Sequence, residues 1–231
     1  MIIPKKLKKG DTIGVVAPSN PIIGENIEEL EKAKKILERD GYKVVFSKNI
    51  FSNANEYSAT AKEKADDINE MFANKDIDMI WCAKGGENSN SVFDYLDFEI
   101  IKNNPKIIAG FSDITSIINV IANKTGLVTF SATNFKTVAT DETDYSYKQA
   151  IARFSGENAT FDVVKKDCYK TIKEGTAEGE LIGGNLTLTT GLVTGKYKIN
   201  FKNKILFLEE LGYESDPSVV SRNLYFMKQN G

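Results

Sequence analysis

Ser112 lies in Lys106-Ile-Ile-Ala-Gly-Phe-Ser-Asp-Ile-Thr115, where a short apolar run stops at a glycine and a helical pattern begins two residues later. Strand–Gly–x–Ser–helix is the local arrangement of a nucleophile elbow. The glycine permits a sharp turn, the hydroxyl projects from its apex, and the helix N-terminus lends positive potential. In that arrangement the backbone N–H of Asp113 points towards an oxyanion formed by attack at Ser112. Serine is also a favoured helix cap, which gives the same residues a purely structural role. GFSD lacks the second glycine of GxSxG, so the local pattern leaves both roles open.

Two other stretches carry chemistry. Trp81-Cys-Ala-Lys-Gly-Gly-Glu-Asn-Ser-Asn90 ends a strand in twin glycines, whose amides can approach a ligand because no side chains intervene. Gly86 could thereby give the other half of an oxyanion hole, or the loop could hold a phosphate. Gly85, Asn88 and Ser89 are the candidate substrate-binding residues of this loop. Leu208-Glu209-Glu210 closes a later strand, and alternation puts Glu209 on the face of Ile205 and Phe207, and Glu210 on the other. A carboxylate there could orient an imidazole as a third triad member, or simply be a solvated strand end. Lys84 could serve as base to a serine only if burial lowered its pKa. The 231-residue sequence contains no histidine, so no imidazole of this chain assists Ser112.

The elements that would position these groups alternate. Strands are expected at 12–17, 42–46, 78–83, 106–109 and 127–130. Helices fall between them: one with a buried stripe of Ile27, Leu30, Ala33 and Leu37, others near 59–74 and 91–101, and one from Ser112. Such alternation with short links predicts a parallel sheet covered on both faces, with ligands beyond the carboxyl ends of its strands. The loops at 18–21, 84–90 and 110–113 all fall there. Residues 141–174 lack a clear period and are expected to form a linker with some helix between a first domain, 1–140, and a second, 175–231. The second domain opens on 175–186, a strand into a glycine turn, continues in a helix-like stretch to Val193 and a strand at 204–209, and closes on a final helix capped by Asp216 and Pro217, with Val220, Leu224 and Met227 as its apolar face. It ends without a following strand and is expected to be incomplete. The fold class is α/β, a parallel sheet domain followed by a smaller, incomplete second domain.

Composition narrows the function. With 41% hydrophobic and 27% charged residues and a net charge of -2, the chain lacks a basic field for nucleic acid or anionic membrane. It shows no apolar stretch long enough for a signal peptide or membrane span, and the expected address is the cytoplasm. Cys82 and Cys168 stand alone in different surroundings, suggesting neither a disulfide framework nor a metal site, and no cofactor or metal is expected.

Taken jointly, these segments resemble the LD-carboxypeptidase family of serine peptidases. The resemblance is carried by Lys8-Lys-Gly-Asp-Thr-Ile-Gly-Val-Val-Ala-Pro-Ser19, Gly85-Gly-Glu-Asn-Ser-Asn90, Pro105-Lys-Ile-Ile-Ala-Gly-Phe-Ser-Asp113, Gly179-Glu-Leu-Ile-Gly-Gly-Asn-Leu186 and Ile205-Leu-Phe-Leu-Glu-Glu210. It covers nearly the whole chain. The Gly-Gly-x-Asn-Ser-Asn form is most similar to the branch of microcin C self-immunity peptidases. The resemblance implies a Ser–His–Glu triad with Ser112 as nucleophile, Glu209 as acid with Glu210 adjacent, and oxyanion donors from the amides of Gly86 and Asp113. It further implies α/β architecture with a flavodoxin-like parallel sheet domain plus a smaller, incomplete β-rich C-terminal domain, a homodimer in full-length members, and a small substrate, either a murein tetrapeptide or an aminoacyl-nucleotide. The family's histidine lies beyond residue 231, so the chain is expected to be a C-terminally shortened member with little turnover. A second departure is Ser131-Ala-Thr-Asn134, which replaces the family's Gly-Pro. Tyr169 is the aromatic offered by 161–174 for stacking on a base. The rival of another class is a doubly wound module that holds a nucleotide or phosphate at residues 85–90 without chemistry.

Overall fold

A computed structural model describes residues 1–54, 58–141, 143–157 and 169–230. Five strands, β1 (Thr12–Val16), β2 (Lys43–Phe46), β3 (Met79–Cys82), β4 (Ile107–Gly110) and β5 (Phe130–Ser131), form one sheet in the order β2-β1-β3-β4-β5. Every pair is parallel, as the alternation predicts, and the strand order is the flavodoxin-like one that the resemblance implies. The last strand begins later than expected. Leu127 instead makes an isolated parallel bridge to Ile2, which ties the N-terminus to the sheet edge.

Side chains of these buried strands alternate between two cores. Val15, Met79, Trp81 and Ala109 face α1 (Glu25–Arg39) and two later helices, α5 (Thr137–Thr140) and α6 (Tyr145–Ser155). Val16, Ile80, Cys82 and Ile108 face α2 (Ala61–Ala73), α3 (Phe98–Asn103) and α4 (Thr115–Thr125). Helix α2 starts at a capping box, Thr60 with Glu63, and α4 ends at Gly126 in the left-handed conformation that closes such helices. Of the stripe expected on α1, Leu30, Ala33 and Leu37 are buried, but Ile27, in the first turn, is 38% exposed. The helix expected near 91–101 divides into a 3-10 segment, Ser89–Tyr95, and α3, with Asp97 capping the latter. Within the stretch expected as linker, α6 sends Tyr147, Ala150 and Phe154 into the first core. Cys168 lies outside the described residues.

The second unit contributes β6 (Glu180–Asn185) and β7 (Lys204–Glu209), paired in parallel, with α7 (Leu186–Gly191) and α8 (Pro217–Gln229). Asp216 caps α8 through Ser218 N–H, with Pro217 in the first turn. On its apolar face Met227 is buried, whereas Leu224 is 43% exposed. Strand β6 lies against α4. A Cβ on Gly184 would fall 2.6 Å from Thr115 Oγ1, Asn185 N–H donates to that hydroxyl at 3.0 Å, and Asn119 Nδ2 donates to Gly183 O at 2.8 Å.

Candidate active site

The elbow begins where β4 stops. A Cβ on Gly110 would lie 2.7 Å from Ile114 Cγ2 and 3.0 Å from Asn134 Oδ1, so this turn has no room for a side chain. Phe111 N–H donates to that Asn134 oxygen at 3.1 Å. Ser112 then adopts φ +63°, a left-handed conformation that costs a residue with a Cβ on the order of 1–3 kcal/mol. The cap positions of the 3-10 turn 112–114 and of α4 fall on Phe111 and Ile114, not on Ser112. Capping therefore does not explain this serine. It is partly exposed at the apex of a strained bend.

The twin-glycine loop runs beside it. A Cβ on Gly85 would stand 3.1 Å from Ser112 Cβ and 3.2 Å from its Oγ. On Gly86 a Cβ would collide with Asn20, at 2.2 Å from Cγ, and with Ser19 Oγ, at 2.5 Å. A side chain at Gly85 would crowd the hydroxyl, and one at Gly86 would push against Ser19 and Asn20.

The rest of the loop is anchored residue by residue. Glu87 N–H donates to Asn20 Oδ1 at 3.2 Å, and Asn88 Oδ1 accepts from the buried Lys64 ammonium at 2.8 Å. Ser89 N–H donates to Asp113 Oδ2 at 2.8 Å, and Ser89 Oγ donates to Asp113 O at 2.7 Å. Ser19 Oγ also donates to Asp113 Oδ2. Ser89 is fully buried, so its expected role as a substrate contact gives way to support of the loop. Burial holds Lys64 below the ordinary lysine range, offset in part by the charge of Asp113. The Cys82 thiol is pushed up by burial and by the same carboxylate. Lys84 is also lowered, first by burial and then by Lys136, but its electrostatic neighbours are Lys136 and Glu29, on the α1 side of the sheet. No contact joins it to Ser112 among the described residues, which removes the support for a Ser–Lys pair.

The two carboxylates of β7 differ sharply. Glu210 accepts from Asn185 Nδ2 (2.7 Å), Thr187 N–H (3.1 Å), Thr187 Oγ1 (2.7 Å) and Leu211 N–H (2.9 Å). It serves the N-terminus of α7, and these bonds bring its pKa below the usual range despite the upward push of burial. Glu209 Oε1 is buried with no hydrogen-bond partner among the described residues. Burial, then the charge of Glu210, raises its pKa, with Asn185 opposing. Pairing sets Glu209 level with Asn185, which is bonded to Thr115, three residues after Ser112. Among the described residues no group of three or more Cys, Asp or Glu side chains could hold a metal ion, and no helix is long and apolar enough to cross a membrane.

Four residues of this architecture escaped the sequence. Asn134 was visible only as a departure from the family's Gly-Pro, yet it holds the elbow. Ser19 and Asn20 lay in a flagged loop without an assigned role. Lys64 carried no assigned role in the expected 59–74 helix and is buried.

Two domain profiles match the chain. That of the LD-carboxypeptidase N-terminal domain covers residues 13–132, and that of the C-terminal domain covers 178–231. The chain belongs to the LD-carboxypeptidase family. The probable murein peptide carboxypeptidase of Bacillus subtilis (strain 168) is 33% identical over 233 residues, covering 99% of this chain and 70% of that protein. The crystal structure of an MccF-like protein from Bacillus anthracis str. Ames superposes with a TM-score of 0.86 at 30% identity, over 99% of this chain and 76% of that one. Microcin C7 self-immunity protein MccF, solved in complex with aspartyl sulfamoyl adenosine, matches with a TM-score of 0.85 at 28% identity, over 100% and 76% of the respective chains. These family members share the parallel-sheet core and the small second sheet seen here.

Proposed function

We propose that this fold supports amide hydrolysis by acyl transfer at Ser112, with a murein tetrapeptide as the substrate class. The observation that carries it is a strained, uncapped serine at φ +63° whose Oγ faces the backbone of the twin-glycine loop. Ser112 Oγ attacks the scissile carbonyl, and the amides of Gly86 and Asp113 receive the developing oxyanion. Glu209, with its orphaned oxygen, orients the imidazole that takes the serine proton and returns it to the leaving amine. Gly85 and Asn88 line the substrate side. The imidazole is not among these 231 residues, so the chain by itself turns over slowly, since losing a triad member removes on the order of 10⁴–10⁶ in rate.

The test is release of D-alanine from an LD-tetrapeptide, with and without added imidazole. Near-background release, raised by imidazole and abolished by Ser112→Ala, is expected. Imidazole-independent turnover that survives Ser112→Ala would remove the serine from the mechanism. A second substrate, an aminoacyl-nucleotide, is favoured by the aspartyl sulfamoyl adenosine bound in MccF. Here Tyr169 is 68% exposed and 161–174 holds no tryptophan, so the murein peptide leads. Saturable binding of a nucleotide by a chain inert towards both substrates would instead favour a binding module. A homodimer and a cytoplasmic address go with the hydrolase proposal.

A further inference from the structure

We propose that the Asp113 side chain is a positioning residue that fixes the oxyanion hole by tying three strand-end loops to the elbow. This rests on the hydrolase reading above. Asp113 Oδ2 accepts from Ser19 Oγ, after β1, and from Ser89 N–H at 2.8 Å, after β3, while its own backbone follows Ser112, after β4. Ser89 Oγ returns a bond to Asp113 O at 2.7 Å and meets Ser116 Oγ at 2.9 Å. Gly86 lies three residues before Ser89, and its Cα borders both Ser19 and Asn20. The loop that carries the amide of Gly86 thus lies between Ser19 and Ser89, both partners of a single carboxylate whose own residue carries the other amide.

Stability alone does not account for this carboxylate. Asp113 is fully buried, and its Oδ1 has no partner among the described residues, an arrangement that costs folding free energy. What this side chain adds is a shared acceptor, since one oxygen ties the loops of Ser19 and Ser89 to the elbow. The nearby buried Lys64 balances its charge and holds Asn88, the residue before Ser89. Donors fixed in advance need no reorganisation when charge develops, and a misplacement of about 1 Å costs up to about 10²-fold.

Titrating the 231-residue chain with a dipeptide ending in 1-aminoethylboronic acid, followed by boron-11 NMR, tests this. The Ser112 hydroxyl gives its proton to buffer and adds its oxygen to the trigonal boron, producing a tetrahedral anion with one hydroxyl at the oxyanion position. If the wild-type chain gives no tetrahedral signal that Ser112→Ala removes, the hydrolase reading fails and the positioning role with it. With that signal present, Asp113→Ala and Ser19→Ala are expected to weaken the adduct by roughly 10- to 100-fold. Asp113→Asn, which keeps an acceptor, should restore most of the loss. Amide hydrogen exchange at Gly86 should quicken in Ser19→Ala while its melting temperature stays at the wild-type value. Wild-type adduct affinity in Ser19→Ala and Asp113→Ala would overturn the positioning role and leave the hydrolase reading standing. Should Asp113→Ala not fold, Ser19→Ala alone decides, by the same affinity.

Discussion

The five-stranded sheet buries Trp81, Phe135 and Phe154 on one face and Phe72, Ile68 and Ile101 on the other, whereas the β6–β7 unit has a core of its own consisting of Leu186, Val193 and Met227. Around that small core Leu181 is 71% exposed, Phe207 45% and Tyr225 60%. A cavity of about 420 Å³, lined by Asn119, Ser131, Gly183 and Phe207 among others, separates part of β6–β7 from α4. The second unit compensates by leaning on the first: Leu192 and Ile199 join the α2–α4 core. Tyr197 packs at 5.1 Å on Phe93, and its hydroxyl donates to Asp94 at 2.7 Å. The contrast separates two duties. One unit holds Ser112 in a dense frame, and the other presents Glu209 from a sheet stabilised largely by its neighbour.

The strongest challenge to that contrast is Trp81→Ala. Trp81 is fully buried, edge-on to Phe135 and Phe154, and its Nε1 donates to Thr133 O at 2.7 Å. Its removal should cost about 3–5 kcal/mol in urea unfolding and melt both sheets together. A second unit that stays folded by circular dichroism would show independent stability and break the comparison.

Within the second unit, Glu210→Gln should destabilise by about 1–3 kcal/mol, since it weakens charge-assisted bonds to the start of α7. Because the folded-state pKa of Glu210 is depressed, its contribution is present above the ordinary glutamate pKa. That contribution disappears as pH falls through the folded value, so the variant and wild type should converge in acid.

Back at the elbow, Ser112→Gly should raise stability by about 1 kcal/mol by relieving the left-handed backbone, whereas Ser112→Ala keeps the strain and gains nothing comparable. Equal melting temperatures for the two variants would count against stored strain. The smallest effect is expected at Glu209. Its folded-state pKa is raised, so ionisation costs stability at neutral pH, and that cost vanishes below the ordinary glutamate pKa. Glu209→Gln should therefore melt above wild type at pH 7, with the gap closing towards acid pH. A lower melting temperature at pH 7 would assign Glu209 a structural role like that of its neighbour.

Much of the first unit was legible because buried parallel strands announce themselves as apolar runs and short links dictate their pairing. Ser112 was visible by position but not by duty, since a cap and an elbow share one local sequence; its φ of +63° and the cap positions at Phe111 and Ile114 argue against the cap. Glu209 and Glu210 were distinguishable by alternation, but only the bonds of Glu210 to Asn185 and Thr187 show which one is occupied. The supports of the site stayed hidden. Ser19, Lys64 and Asn134 act through contacts 94, 24 and 23 residues away in the chain, and no local pattern encodes such separations.

Gly183 and Gly184 carry one more consequence. A Cβ on Gly183 would fall 1.9 Å from Phe207 O, and one on Gly184 would strike Thr115, so β6 is wedged backbone-first between its partner strand and the helix that begins at the elbow. A slip of one residue along β7 would exchange Glu209 for Glu210 at the height of Asn185 and turn every β7 side chain to the opposite face. Surface loops can drift in length and composition without disturbing the spacing of hydroxyl and acid. That spacing is gauged main chain against main chain, where there is no side chain to alter.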